Sequence, residues 1–540
     1  MARDPRRSDD PRRAARLTFL RSAVAGLVIP VLAGGFMLQR QANDGERLFY
    51  EVLTRIATRG VDSIPEDSLY EKAARGLLRS IGDPYAELYT PRELAAFQRE
   101  GLRNGYGGLG MLLERVRDTT VITRVYPGNP AAAAGVRVGD RVIAVEGHRV
   151  IGLPLDSVTS RVLGVPGTPV RVTFVRPGEQ PVVREVRRAI VHIPVVAYAT
   201  VLEGGVGYLP LDRFSEASAE EVTRAVAALR AGGAKSLILD LRGNGGGSLE
   251  QSIRISNLFL ARGQEILQVR YRDRPAEVYR AEGGPLASGE PIVVLTDAGS
   301  ASASEIVAGA LQDHDRAVVI GTPSFGKGLV QELFPLPDGY ALKLTTAKWF
   351  TPSGRSIQRE RRVSETGRFL PDTLPPSDSA LSRLPEFRSD AGRIVRGGGG
   401  ITPDLVVRPD TLGGGERALV QALTGRASVI NEVLTELSLQ WARAGVQRGF
   451  TVTPAWREAF FQRLVARGAP VDRAVWNAGL PLIDRLIADR VTSLALGEEA
   501  SFLLTVPRDN QLQAALRVLR GARTQQEALA RVPGATGGGR

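Results

Sequence analysis

Residues 291–331 read PIVVLTDAGSASASEIVAGALQDHDRAVVIGTPSFGKGLVQ. PIVVLTD and AVVIG are short continuous apolar runs bounded by small and turn-forming residues, the pattern of strands buried on both faces. Between them, ASEIVAGALQD has helical spacing. Upstream the same alternation recurs: GVGYLPLDRF leads into the amphipathic run EEVTRAVAALRAGG and then to KSLILDL. Strands alternating with helices from about 198 to 350 predict an α/β core with parallel strands.

Small residues crowd the turn where PIVVLTD meets the helix. Ser302-x-x-Glu305 matches a capping box, so Ser302 reads as a helix N-cap. The same position places a hydroxyl beside backbone N–H groups and the positive end of the helix dipole, where a nucleophile would sit. Ser300 or Ser304 offers an alternative cap. A reactive serine needs a base. His314 lies twelve residues along the same helix, roughly 18 Å away at about 1.5 Å per residue, and is out of reach. Lys327, between two glycines just after AVVIG, is placed where the next strand returns to the same sheet edge. A lysine of lowered pKa can serve a serine as its base. An exposed loop lysine is the plainer alternative. Residues 321–328 also come within one residue of a phosphate-binding loop, but Gly328 lacks the hydroxyl that would bind magnesium, and LVQELFPL reads as a strand.

A second cluster, DLRGNGGGS (240–248), follows the apolar strand KSLILDL. Glycines there let backbone N–H groups approach a ligand or an oxyanion, or else they form a flexible loop.

Composition narrows the classes further. At 540 residues the chain needs two to four domains. Cysteine is absent, which removes disulfides, thiolate metal sites and a cysteine nucleophile, and only three histidines occur. Five lysines stand against 65 arginines. The net charge of +12 is partly an N-terminal tail, with seven Arg and three Asp in the first 21 residues, and the remainder is dispersed, so no nucleic-acid partner is expected. A basic leader followed by the apolar run 22–38 (SAVAGLVIPVLAGGFML) predicts an uncleaved signal anchor, with the rest of the chain outside the cytoplasm.

In combination these motifs resemble the carboxyl-terminal processing (tail-specific) proteases over roughly residues 45–410. GSASASEIVAGALQD followed by GxxxFGKGxVQ is specific to that family. The resemblance implies a crotonase-like α/β protease core with an inserted PDZ β-domain and helical N- and C-terminal regions. It places the nucleophile on Ser302, the general base on Lys327, and the residue that orients the base on Gln331. It assigns the oxyanion donors to the N–H groups of Gly246 and Ala303. The glycine-rich GYGGLGM within the PDZ-like segment would take a substrate's C-terminal carboxylate at Gly108, Leu109, Gly110 and Met111, with an edge strand pairing the tail. No metal or organic cofactor is implied.

The expected organisation is a basic leader and anchor (1–40), an N-terminal helical region (41–103), the PDZ domain (104–188), the protease core (189–410) with a surface insertion at 359–398, and a C-terminal helical region (411–540). Expected partners are protein or peptide substrates with free apolar C-termini, the membrane through the N-terminal segment, and a second copy in a homodimer. The location implied is the inner membrane, with the catalytic part in the periplasm or outside the cell. Family members often carry Arg-Gly before the last PDZ strands, an arginine tied to coupling with the active site. Here the segment is Val162-Leu163-Gly164. Two other readings compete: a silent PDZ scaffold, and a crotonase-like enzyme acting on a thioester.

Overall fold

A computed structural model describes residues 44–98, 105–283, 289–360 and 377–532. The apolar run at 22–38 lies outside them, and among the described residues no helix is long and apolar enough to cross a membrane. The chain divides after Gly82. The part before that point comprises two amphipathic helices, Asp44–Arg59 and Glu66–Ser80, the first with no buried residue.

Beyond Gly82 the region expected to be helical is interrupted by a strand. Glu87–Tyr89 is a strand, paired antiparallel with Ala341–Phe350 so that Glu87 faces Lys343 across the ladder. Their side chains meet at 2.9 Å, an opposite-charge cross-strand pair that adds to the ladder. The helix Pro91–Phe97 follows, started by Pro at its first turn and by a Thr90–Glu93 capping box.

Residues 105–192 form a small β-domain. Its sheet runs in the order Met111–Val116, Thr119–Val125, Arg141–Val145, Pro169–Val175, Val182–Arg187, leaving Met111–Val116 at an edge. Leu109, Ile122, Val142, Val158 and Val170 fill its core, with Val158 coming from the helix Leu155–Val162. Gly105–Gly108 pairs with Ala189–His192 where the chain enters and leaves.

The parallel strands expected from the apolar runs are present. Val206–Pro210, Ser236–Asp240, Ile292–Thr296, Val318–Gly321 and Leu405–Val406 lie side by side in parallel, with Thr200–Leu202 antiparallel at one edge. Both faces are covered, which is why the central strands Ser236–Asp240 and Ile292–Thr296 are buried at every position and mainly apolar. Leu237, Leu239, Ile292 and Val294 point into one core, beneath the helices Ser218–Ala231, Leu249–Phe259 and Ala303–Asp313. Ile238, Val293 and Leu295 point into the other, packed by Phe502, Leu512, Ala515 and Val518. The last helices, Glu498–Thr505, Asn510–Leu519 and Gln525–Leu529, therefore roof the parallel sheet. The helices between 414 and 496 hold a core of their own around Phe460, Trp476, Ile483 and Ile487.

Most described residues of the segment 359–398, expected as a surface insertion, are exposed or half-buried, and Arg393 is an exception. Arg393 is 5% exposed and pairs at 2.5 Å with both Asp315 and Asp404. The hairpin of Glu386–Arg388 and Ile394–Arg396 carries it there. A run rich in Arg and Ser reads as solvated, and two aspartates elsewhere in the chain explain why Arg393 is buried within it.

Candidate active site

The site is built where two strand-to-helix loops meet. After Ile292–Thr296, Asp297 Oδ1 accepts from the amides of Gly299 at 2.9 Å and Ser300 at 3.1 Å, and also from Gly243 of the neighbouring loop at 2.9 Å. Ser300 Oγ donates across to the Leu241 carbonyl at 2.7 Å. Ser302 then adopts φ +55°, ψ −110° directly before the helix Ala303–Asp313. A non-glycine residue held at positive φ marks strain, which concentrates at functional positions.

Ser302 Oγ makes no hydrogen bond among the described residues, so it does not act as a cap. Ser304 Oγ is committed to the Asn244 carbonyl at 2.8 Å. Only the glutamate half of the capping box forms: Ser302 N–H donates to Glu305 Oε2 at 2.7 Å. Glu305 does more than the motif foretold. It is fully buried, and its carboxylate also receives the Lys327 N–H at 2.9 Å, the Gly326 N–H at 2.6 Å and Ser324 Oγ at 2.6 Å. One carboxylate thus fixes the backbone of both Ser302 and Lys327. Burial raises its pKa, and these four donors only partly offset that.

Lys327 Nζ donates to Gln331 Oε1 at 2.8 Å and lies 4.6 Å from the centre of the Tyr85 ring. Gln331 in turn donates to the Tyr85 carbonyl at 3.2 Å. The ladder of Leu329–Pro335 with Ala341–Phe350 shifts register between Val330 and Gln331, and such bulges re-aim side chains beside active sites. Burial, reinforced by the charge of Lys343, pulls the Lys327 pKa down to about 8, against the opposing pull of Glu305 and Asp83. Among the described residues its one side-chain hydrogen-bond partner, Gln331, is neutral, so no carboxylate at hydrogen-bond distance holds the proton on the amine.

The glycine loop turns on Asn244, which is fully buried. Asn244 Nδ2 donates to the Leu211 carbonyl at 2.6 Å, and its main-chain carbonyl accepts from Ala301 N–H at 3.0 Å. Gly246 has φ +94°, and a Cβ there would stand 2.6 Å from the Ala301 carbonyl oxygen and 3.0 Å from Ser302 Cβ. Only glycine allows this approach. The structure departs from the expected oxyanion pair in one respect. Ala303 N–H has no partner among the described residues, whereas Gly246 N–H is already bonded to Asn244 Oδ1 at 2.9 Å. Gly246, Ser302, Ala303, Lys327 and Gln331 all line one cleft of about 480 Å³, whose apolar wall includes Ile306, Leu329 and Trp349.

His314 stands at the far end of the helix, bound to Asp390 and to the Glu265 carbonyl, each at 2.7 Å. In the β-domain, Gly108, Leu109, Gly110 and Met111 lead into the edge strand Met111–Val116. The N–H groups of Leu109 and Gly110 have no backbone partner among the described residues, and Gly110 has φ +77°. Nothing in the sequence pointed to Tyr85, and Lys343 stood out only as one of five lysines. Asn244 lay inside the glycine motif without a role assigned to it.

Residues 205–366 match the model of peptidase family S41, and residues 121–176 that of a PDZ domain. A carboxy-terminal-processing protease of Bartonella bacilliformis is 38% identical over 338 residues, covering 61% of this chain and 76% of the relative. The carboxy-terminal processing protease CtpA of Bacillus subtilis is 34% identical over 337 residues, 62% of this chain and 72% of the relative. A solved photosystem II D1 C-terminal processing protease is 27% identical, with 62% of this chain and 90% of that chain covered and a TM-score of 0.33.

Proposed function

The chain belongs to peptidase family S41, the carboxy-terminal processing proteases, and from that premise we propose that this serine-type peptidase cleaves with a Ser302–Lys327 dyad and selects substrates by their free C-termini. In this reading neutral Lys327 Nζ takes the proton from Ser302 Oγ as the oxygen attacks the scissile carbonyl. The tetrahedral oxyanion is held by Ala303 N–H, and by Gly246 N–H once that group exchanges Asn244 Oδ1 for the substrate oxygen. Lys327 passes its proton to the departing amine, leaving an ester on Ser302. Water, deprotonated by the same amine, then releases the acid. Gln331 holds the amine without adding charge.

The observation that carries the reading is the pairing of a buried lysine of depressed pKa with a strained, unbonded serine in one cleft. Tail selection rests on the open amides of Leu109 and Gly110 beside an edge strand able to accept one more strand. The core is taken as crotonase-like with the PDZ domain inserted. Residues 22–38 are taken as a membrane anchor that places residues 41–540 in the periplasm or outside the cell. Deleting residues 1–40 should then move the protein from the membrane to the soluble fraction, and retention at the membrane would refute the anchor.

The dyad is tested on a disordered reporter with an apolar C-terminus, free or amidated, followed by mass spectrometry. Ser302→Ala and Lys327→Ala should each abolish cleavage, and amidation should slow it. Substantial activity in either variant removes the dyad, and indifference to amidation removes the tail specificity.

A further inference from the structure

The C-terminal helices touch the active-site loops at one charged point. Arg242, the third residue of DLRGNGGGS, directs Nε and Nη2 to Asp240 at the end of its own strand, at 3.0 and 2.6 Å. Its remaining arm, Nη1, reaches Asp509 Oδ2 at 2.8 Å and Gln511 Oε1 at 3.0 Å. Asp509 is not free to follow it. Its carboxylate caps the helix Asn510–Leu519, accepting the N–H groups of Gln511 at 3.1 Å and Leu512 at 3.0 Å. Gln511 is 3% exposed and is itself held to the Val407 carbonyl at 2.8 Å. The guanidinium is therefore clamped between a strand end and a helix start, a bidentate geometry on one side and a fixed cap on the other. The chain leaving it runs through Gly243, tied to Asp297, into buried Asn244 and then Gly246.

The same helical region grips the β-domain. Glu436 pairs with Arg117 at 2.6 Å, Arg490 with Glu114 at 2.5 Å, and Arg443 donates to the Gly139 carbonyl at 2.6 Å. Leu439 and Leu494 pack on Val116 and Val121. The C-terminal helical region thus contacts both the β-domain, through Glu436, Arg443 and Arg490, and the glycine loop, through Asp509.

We infer that Asp509 is a positioning residue for hydrolysis: through Arg242 it fixes the glycine loop that presents Gly246 beside Ser302, and the C-terminal helices thereby set the loop in register with the β-domain. The inference rests on the dyad reading for its effect on rate, but not for its effect on the loop. Misplacing a reacting geometry by about 1 Å costs on the order of 100-fold in rate, and loss of one of three restraints should cost less.

Asp509→Asn keeps a side-chain oxygen able to cap the helix and removes the charge facing Arg242. In the full chain, hydrogen exchange at amides 243–248 should quicken about tenfold while the sheet amides keep their protection. On the tail-bearing reporter kcat should fall roughly tenfold with KM unchanged. Arg242→Lys, which keeps the charge but loses the fork, should reproduce both effects, and it decides the matter if the first variant does not fold. Wild-type exchange in the loop together with wild-type kcat overturns the inference. So does a loss that spreads evenly over all amides. A wild type that never cuts, with a loop still loosened by Asp509→Asn, retires the dyad reading and leaves the positioning role standing.

Discussion

Lys327 Nζ and Gln331 Oε1 lie 2.8 Å apart across a one-residue shift in the strand ladder, so that the amine proposed as base is held by a group that neither gives nor takes charge. The neutral amine is the working form, and its pKa is pulled down to about 8. Activity should therefore rise with pH through about 8, with roughly a tenth of the enzyme competent at pH 7. Gln331→Glu places a negative charge beside Nζ, favours the protonated form and should move the rising limb alkaline by about 1–2 pH units. The pH profile of kcat/KM measures this, and an unmoved limb in Gln331→Glu would separate Lys327 from the rate.

Gly246→Ala should lower kcat about 100- to 1,000-fold, the loss typical of removing one oxyanion donor. The added methyl would stand 2.6 Å from the Ala301 carbonyl oxygen at a φ that disfavours a side chain. The loop must then withdraw from Ser302. Single-turnover kinetics with a wild-type burst would contradict this.

Glu305→Gln preserves shape but turns an amide N–H₂ toward one pair of the four donors that the carboxylate now satisfies. A cost of about 3 kcal/mol in stability is expected from buried donors left unpaired. Loss of kcat should accompany it, because Ser302 and Lys327 share this anchor. Denaturant unfolding at pH 7 reads the stability term, and a change below about 0.5 kcal/mol would show that the loops are held otherwise.

In the β-domain, a Cβ on Gly110 would stand 2.2 Å from Asn129 Cβ, so Gly110→Val must open the loop that presents the Leu109 and Gly110 amides. KM for a tail-bearing reporter should rise about tenfold while kcat on a short peptide holds. Equal KM values for the two proteins would place tail recognition elsewhere.

The local chemistry of the core was legible because it is written in neighbouring residues. Continuous apolar strands announced a sheet covered on both faces, and GSASASEIVAGALQD with FGKGxVQ named a serine and a lysine. The capping-box spacing identified Glu305, though only as a partner of Ser302; that its other oxygen holds Gly326 and Ser324 depends on a loop 20 residues away in sequence. Glu87–Tyr89 carried no strand signal of its own, since three residues form a strand only when a partner such as Ala341–Phe350 supplies the ladder.

By itself, then, the sequence determined the alternation of strands and helices and the glycine positions, properties of side-chain periodicity and backbone freedom within a few residues, whereas Ser302 and Lys327 were singled out as nucleophile and base by resemblance to a family. Tertiary structure alone decided that Gly246 N–H is engaged by Asn244, that Arg393 is buried between two aspartates, and that Arg242 is shared with Asp509, 267 positions away. Those outcomes depend on which charges and donors lose their water together, and desolvation is set by what packs against a group in space rather than by what precedes it in the chain.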